Sequence, residues 1–154
     1  MPTHGFRRGH LGPREQQELL RRIGTELLSA VGDEWETVTY TAWVLAGRMA
    51  DRLERTAPDG TAERMRAPLG VIDPVRELRA GMYQDGKGTW FTLTYTISRP
   101  GRFKTDYDYD GRPDFTFYPS AADFARDVEL FPRDAGHTPD WLRAHLDEAA
   151  RGEG

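Results

Sequence analysis

The 154-residue sequence contains no cysteine, which excludes disulfide bridges, thiolate zinc sites and cysteine nucleophiles together. It also lacks any run approaching the ~20 apolar residues that span a bilayer. The first ten residues are charged but have no apolar segment behind them, unlike a secretory signal. These absences predict a cytoplasmic protein without a membrane partner.

The motifs of common enzyme classes are missing as well. The chain has no Gly-x-Ser-x-Gly, no phosphate-binding Walker loop and no Gly-x-Gly-x-x-Gly after a predicted strand. Of its four histidines, His4 and His10 lie near the start, and His137 and His145 are spaced unlike the ligands of a common metal helix. The sequence therefore predicts no enzyme activity, cofactor, metal site or small-molecule substrate.

Charge is unevenly distributed along the chain. The net charge is −4, yet residues 1–102 sum to +2 and residues 103–154 to −6. An overall negative protein is a poor binder of nucleic acid, whose phosphates require cationic neutralisation. We therefore expect no direct nucleic-acid partner and an acidic face built mainly from the last third of the chain.

Hydrophobic periodicity predicts an α+β fold. Residues 1–12 are polar and Gly-rich and predict a disordered leader, followed by one domain over residues 13–150. Apolar residues at helical spacing predict helices over residues 13–31, 71–82, 120–130 and 138–149. Runs rich in Thr, Val and aromatics predict strands over 35–47, 90–98 and 102–109, and the turn Pro58-Asp59-Gly60 predicts a hairpin within 48–67. The expected architecture is an antiparallel β-sheet with N-terminal, central and C-terminal helices packed on it.

The most distinctive segment is Asp106-Tyr107-Asp108-Tyr109-Asp110-Gly111. Its six residues fit the start of a calcium loop, but Phe117 stands where that loop needs a bidentate Glu, and a strand precedes it instead of a helix. On a strand, the three aspartates would share one face about 6.6–6.8 Å apart, with both tyrosines on the other face. Such a row is either a solvated face or a binding surface.

Catalysis by these carboxylates is less favoured than binding. Neighbours on one exposed strand face lack the different environments that separate two pKa values for acid and base roles. Among the aromatics, Trp90 opens a predicted strand after a glycine-rich loop and is the best candidate for an exposed interface anchor, although core packing is its commoner role.

Several segments in order resemble the YezG-type antitoxin and immunity proteins. They are Asp33-Glu34-Trp35, residues 88–97, residues 101–109, residues 127–133 and Pro139-Asp140-Trp141-Leu142. The similarity spans about residues 14–143, and the hairpin that ends in Asp-Tyr-Asp-Tyr is its most specific part. It departs around residues 48–67, whose arms are unusually polar, and in the leader.

The resemblance implies a cytoplasmic protein without chemistry of its own. Its partner would be the C-terminal nuclease-type domain of a cognate toxin, whose basic cleft an acidic, aromatic-rich face would cover. The expected toxin-binding residues are Asp106, Tyr107, Asp108, Tyr109, Asp110, Trp90 and Glu129. The aspartates, spaced near the ~7 Å phosphate repeat of an extended strand, would stand in for phosphates.

Two other functions remain open from the sequence. One is a small metal-dependent hydrolase that uses the aspartate cluster. The other is a generic protein-binding adaptor whose C-terminal helix, residues 138–149, docks on a partner.

Overall fold

The computed structural model describes residues 7–152, and within them it has the predicted α+β fold. The helices are α1 (Pro13–Val31), α2 (Ile72–Gly81), α3 (Ala121–Leu130) and α4 (Asp140–Ala150). The strands are β1 (Thr37–Val44), β2 (Met49–Thr56), β3 (Ala62–Met65), β4 (Thr92–Ser98) and β5 (Arg102–Asp108). The hairpin predicted around Pro58-Asp59-Gly60 is confirmed, since it joins β2 to β3.

The strands form one antiparallel sheet in the order β3-β2-β1-β4-β5. Side chains alternate between two faces because the strand period is two. The inner face of the sheet carries buried residues of β1 and β4, namely Val38, Tyr40, Ala42, Val44, Leu93, Tyr95 and Ile97. The outer face carries the half-buried hydroxyl residues Thr37, Thr39, Thr41, Thr92, Thr94, Thr96 and Ser98.

Helices α1 and α2 cover the inner face. The apolar stripe of α1 is buried there, with Leu19, Leu20, Ile23, Leu27 and Val31 in the main core. Gly24 lets the helix approach β4 closely, because a Cβ at that position would lie 2.6 Å from the hydroxyl of Tyr95. That hydroxyl donates to the carbonyl of Leu20 at 2.8 Å. Sheet and helix are thus joined by apolar packing and one buried hydrogen bond.

Helices α3 and α4 cover a second core at one end of the outer face. Trp43, one residue before the end of β1, lies on that face. It belongs to a cluster of buried residues: Trp43, Leu45, Phe91, Phe115, Phe124 and Leu142. The capping box predicted for α3 is present: Ser120 Oγ accepts from the amide of Asp123, and the Asp123 carboxylate accepts from the amide of Ser120. These contacts fix where α3 begins.

The start of the described chain differs from the predicted leader. The amide of Gly9 donates to the carbonyl of Ala80 at 2.9 Å, and that of Leu11 donates to Gly81 at 3.2 Å. The guanidinium of Arg8 lies 5.1 Å from the ring centre of Tyr83. Residues 7–12 are therefore held against the end of α2, whose last carbonyls accept two of their amides. The rest of the predicted leader, residues 1–6, lies outside the described residues.

A buried ion pair joins the separate layers. Arg79 of α2 and Asp127 of α3 are both almost fully buried, and two parallel bonds of 2.7 and 2.9 Å connect their guanidinium and carboxylate. Arg79 Nε also donates to the carbonyl of Trp90 at 2.6 Å, and Asp127 Oδ1 accepts from the amide of Ala46 at 2.7 Å. The pair therefore connects α2 and α3 to the backbone after β1 and before β4.

Replacing Asp127 by Asn should strongly destabilise the fold. The amide keeps the shape of the carboxylate but leaves the Arg79 guanidinium buried without a counter-charge. We expect the free energy of unfolding to fall by about 3–5 kcal/mol, the usual effect of breaking a buried pair on one side. Urea denaturation followed by circular dichroism measures this change.

The Glu63→Gln variant is the matched control. Glu63 bonds to Arg55 at 2.8 Å, but its side chain is 60% exposed, so the loss should stay below about 1 kcal/mol. Equal losses in the two variants would show that the buried pair has no special role.

Candidate protein-binding surface

Strand β5 lies at the edge of the sheet and presents alternate residues to its two faces. Asp106 and Asp108 are exposed on the outer face, whereas Tyr107 and the following Tyr109 are partly buried and pack against the main core. The predicted alternation of aspartates and tyrosines is confirmed. The tyrosines therefore serve as packing residues, and the carboxylates are the accessible groups.

The outer side of β5 is not acidic along its whole length. Arg102 and Lys104 precede Asp106 and Asp108 on the same face, and Lys104 Nζ lies 3.8 Å from Asp106 Oδ2. The strand thus has a basic start and an acidic end, which includes Asp110 in the turn that follows. We define the acidic end of β5 as Asp106, Asp108 and Asp110.

The three aspartates do not form the regular row that the sequence predicts. The strand ends at Asp108, whose Oδ1 accepts from the amides of Asp110 at 3.2 Å and Gly111 at 2.8 Å. This local bond turns the chain, because an aspartate that caps the amides after it competes with continued strand pairing. Only Asp106 and Asp108 keep the spacing of strand residues. The prediction that Asp110 continues this row, as a third carboxylate at the phosphate repeat, is wrong.

A buried arginine, Arg133, binds the backbone of the turn after β5. The side chain of Arg133 is almost fully buried, and its Nη2 donates to the carbonyls of Tyr109 at 2.5 Å and Thr89 at 2.9 Å. Its Nη1 lies 3.5 Å from Asp110 Oδ1, and Trp141 Nε1 donates to the Asp110 carbonyl at 2.7 Å. Burial lowers the pKa of Arg133, while the Asp110 carboxylate opposes that shift. The acidic end therefore rests on a braced backbone.

The other two predicted contact residues lie elsewhere. Trp90 is fully buried, with its ring centre 5.7 Å from that of Tyr107, and so packs in the core instead of anchoring an interface. Its indole Nε1 has no hydrogen-bond partner within the described residues. Glu129 is exposed, but it lies on α3 and not on β5. Arg133 and Trp141 hold the turn, and neither residue was predicted to belong to the site.

The geometry gives no support to a metal site at these aspartates. Within residues 7–152, no three His, Asp or Glu side chains lie close enough together to hold a metal ion. The Asp108 carboxylate is used by its own turn, and Phe117, at the calcium-loop position that needs a Glu, is highly exposed.

None of the helices between residues 7 and 152 combines the length and the apolar character that a membrane span requires.

The Gly111→Ala substitution should disrupt the acidic end. A Cβ at this position would lie 2.3 Å from Oδ2 of Asp108, so the carboxylate has to leave its bonds to the turn. We expect a loss of about 0.5–1.5 kcal/mol in the free energy of unfolding, the usual net contribution of a hydrogen bond. The control is Gly47→Ala, where no atom lies within 4 Å of the added Cβ. An equally small effect of both substitutions would contradict the proposed turn geometry.

The tyrosines of the inner face should make the protein unstable in alkali. Burial raises the pKa of Tyr107 and Tyr109, and raises that of Tyr95 to about 12. An unfolded chain loses phenol protons near pH 10, so the unfolded state binds fewer protons than the native state above that pH. Stability is complete below about pH 10 and should fall as the pH rises through the folded values.

Phenolate absorbance and urea denaturation between neutral and alkaline pH measure both quantities. In Tyr95→Phe, the alkaline loss of stability should be shallower than in the native chain. Ordinary titration of all the tyrosines near pH 10 would contradict the burial of these phenols.

Comparison with known proteins adds no family assignment. No protein-family model matches this chain, and no curated protein matches it significantly. The resemblance to YezG-type immunity proteins therefore stays a prediction that depends on the quoted segments alone.

Proposed function

We propose that this protein is a cytoplasmic inhibitor of the immunity type, which binds a nuclease-type toxin domain through the acidic end of β5. The observation that carries the proposal is an exposed pair of carboxylates on a fixed backbone. The side chains of Asp106 and Asp110 are 63% and 74% exposed. Arg133 and Trp141 hold the turn beneath them, so little order has to be gained on binding.

The electrostatics of a nuclease favour such a partner. An enzyme that binds a polyanion has a cationic cleft, and an acidic protein surface complements that cleft and accelerates the encounter. Asp106 and Asp108 are spaced as strand neighbours on the outer face. Tyr107 and Tyr109 contribute by holding the strand against the core instead of by direct contact.

The two alternative functions have weaker support. A metal-dependent hydrolase needs converging ligands, whereas the Asp108 carboxylate is bonded to its own turn. An adaptor that docks through a separable C-terminal helix needs α4 to be dispensable. In contrast, Leu142 of α4 is fully buried in the second core, and Trp141 and Leu146 pack against that core.

Co-expression tests the proposal. A nuclease-type toxin domain encoded beside this gene is produced in a heterologous host with and without the protein. Rescue of growth together with a 1:1 complex on gel filtration is the expected result. Absence of both rescue and complex would contradict the inhibitor function.

Removing charge from the acidic end should weaken the complex. In Asp106→Asn and Asp108→Asn the side-chain shape is kept, and the asparagine at position 108 still offers a carbonyl oxygen to the turn amides. We expect the double variant to bind the toxin domain about tenfold or more weakly, with a shallower salt dependence, because close charge pairs across interfaces contribute more than about 1.4 kcal/mol. Calorimetry at two salt concentrations measures both effects.

Asp59→Asn is the matched control. Asp59 also accepts the amide of a turn, that of Thr61 at 2.9 Å, but it lies in the β2–β3 hairpin at the opposite side of the sheet. Its replacement removes one charge, as Asp108→Asn alone does, and unlike that single variant it should leave toxin affinity unchanged. Equal weakening by Asp59→Asn would indicate a net-charge effect and refute the assigned surface.

A further inference from the structure

Within residues 7–152, β5 is the last strand on its side of the sheet, and one row of its backbone groups points away from the sheet. The amide of Val44 donates to the carbonyl of Phe91 at 2.9 Å, which sets the phase of the ladder between β1 and the segment that leads into β4. In an antiparallel ladder, successive residues direct their backbone groups to opposite neighbours. The even-numbered residues of β4 therefore bond to β5, where Thr94 pairs with Asp106. The outward backbone groups of β5 belong to Phe103, Thr105 and Tyr107.

The charged residues of β5 lie at equal distances on both sides of Thr105, with cations before it and anions after it. Lys104 and Asp106 flank this residue, and Arg102 and Asp108 lie three residues away on either side. All four are exposed on the outer face. If two such strands run antiparallel with Thr105 opposite Thr105, each cation stands directly opposite an anion of the second strand. Opposite charges in directly opposed positions stabilise strand pairing, and like charges oppose it.

Backbone and charges require the same register. Pairing about Thr105 sets the outward groups of Phe103 against those of Tyr107 in the second strand, which forms hydrogen-bonded pairs. A shift by one hydrogen-bonding step places Lys104 opposite Lys104, or Asp106 opposite Asp106, and lowers the number of opposite-charge contacts from four to two. The charge pattern thus selects one register among those that the backbone permits.

An exposed aromatic ring lies at the same edge. Phe103 is 45% exposed on the inner side of the strand and stacks on Tyr95, with ring centres 5.6 Å apart and planes 8° apart. In the register about Thr105, each Phe103 lies opposite Tyr107 of the second copy. Pairing therefore covers apolar surface that the single chain leaves in water.

We propose that two copies of this chain pair antiparallel through β5 around Thr105 and form one continuous sheet. The inference goes beyond the proposed function. In the pair, Asp106 and Asp108 face Lys104 and Arg102 of the second copy, so a basic partner that binds the acidic end has to replace the second copy.

Sedimentation of the full chain tests the pairing. The native chain should show a reversible monomer–dimer equilibrium that weakens as salt is raised. Lys104→Asp sets a carboxylate against Asp106 of the second copy twice per pair, and Asp106→Lys sets an ammonium group against Lys104 of the second copy twice. Each variant should weaken the dimer about tenfold or more, because each creates two like-charge contacts.

Mixing the two variants gives the decisive result. In a mixed pair, the Lys104→Asp chain is acidic at both central positions and the Asp106→Lys chain is basic at both, so every facing pair there is again of opposite charge. The 1:1 mixture should therefore recover a dimer that neither variant forms alone. The double variant Lys104→Asp/Asp106→Lys should also dimerise, since the two charges are exchanged. Circular dichroism establishes that each variant is folded.

Three results would overturn the proposal: a native chain that stays monomeric, single variants that dimerise as the native chain does, or a mixture that stays monomeric. Binding of the toxin domain separates this outcome from that of the proposed function. Both single variants lose self-pairing, but Lys104→Asp adds an acid to the surface and should bind a basic partner at least as well as the native chain, whereas Asp106→Lys should bind it more weakly. Equal toxin binding by the two variants would count against the inhibitor function but would not contradict the proposed pairing of two copies.

Discussion

The bond between Arg79 and Asp127 is the constraint on which the arrangement of the layers depends. Burying either charge alone is strongly unfavourable, so the two helices that carry them have to meet in one geometry. The remaining polar atoms then need partners, and these come from the carbonyl of Trp90 and the amide of Ala46. The end of β1 and the approach to β4 are thereby positioned by the same pair that joins α2 to α3.

A second buried cation extends this order to the surface. Arg133 lies with its guanidinium 4.7 Å from the ring centre of Phe91, and the Arg79 guanidinium lies 5.5 Å from the same ring. The aromatic face offsets part of the desolvation of both cations. Since Arg133 also binds the carbonyls of Thr89 and Tyr109, the turn that carries Asp110 is connected to the interior. An exposed acidic group is thus held by buried basic groups.

Local pattern predicted the elements well, because each depends on neighbours in sequence. The apolar stripe of α1 and the capping box of Ser120 and Asp123 are such signals. Long-range pairing left weaker traces: Arg79 and Asp127 each interrupt the apolar stripe of a helix, which signals a buried ion pair without naming its partner. The contact of Trp90 with Tyr107 and the support of the turn by Arg133 and Trp141 could not be predicted, since they depend on side chains brought together only in the folded chain.

The order of charges on β5 limits what its edge can bind. An edge strand with charges of one sign resists every strand that resembles itself, which is a common protection against aggregation. Here, two cations are followed by two anions, so an identical antiparallel strand meets four opposite-charge contacts in one register, whereas each adjacent register keeps two of them and adds one like-charge contact. A basic partner meets attraction only at the acidic end, where Asp110 extends the charge beyond the strand. A second copy would therefore contact the whole edge of β5, whereas a cationic partner would contact only its acidic end.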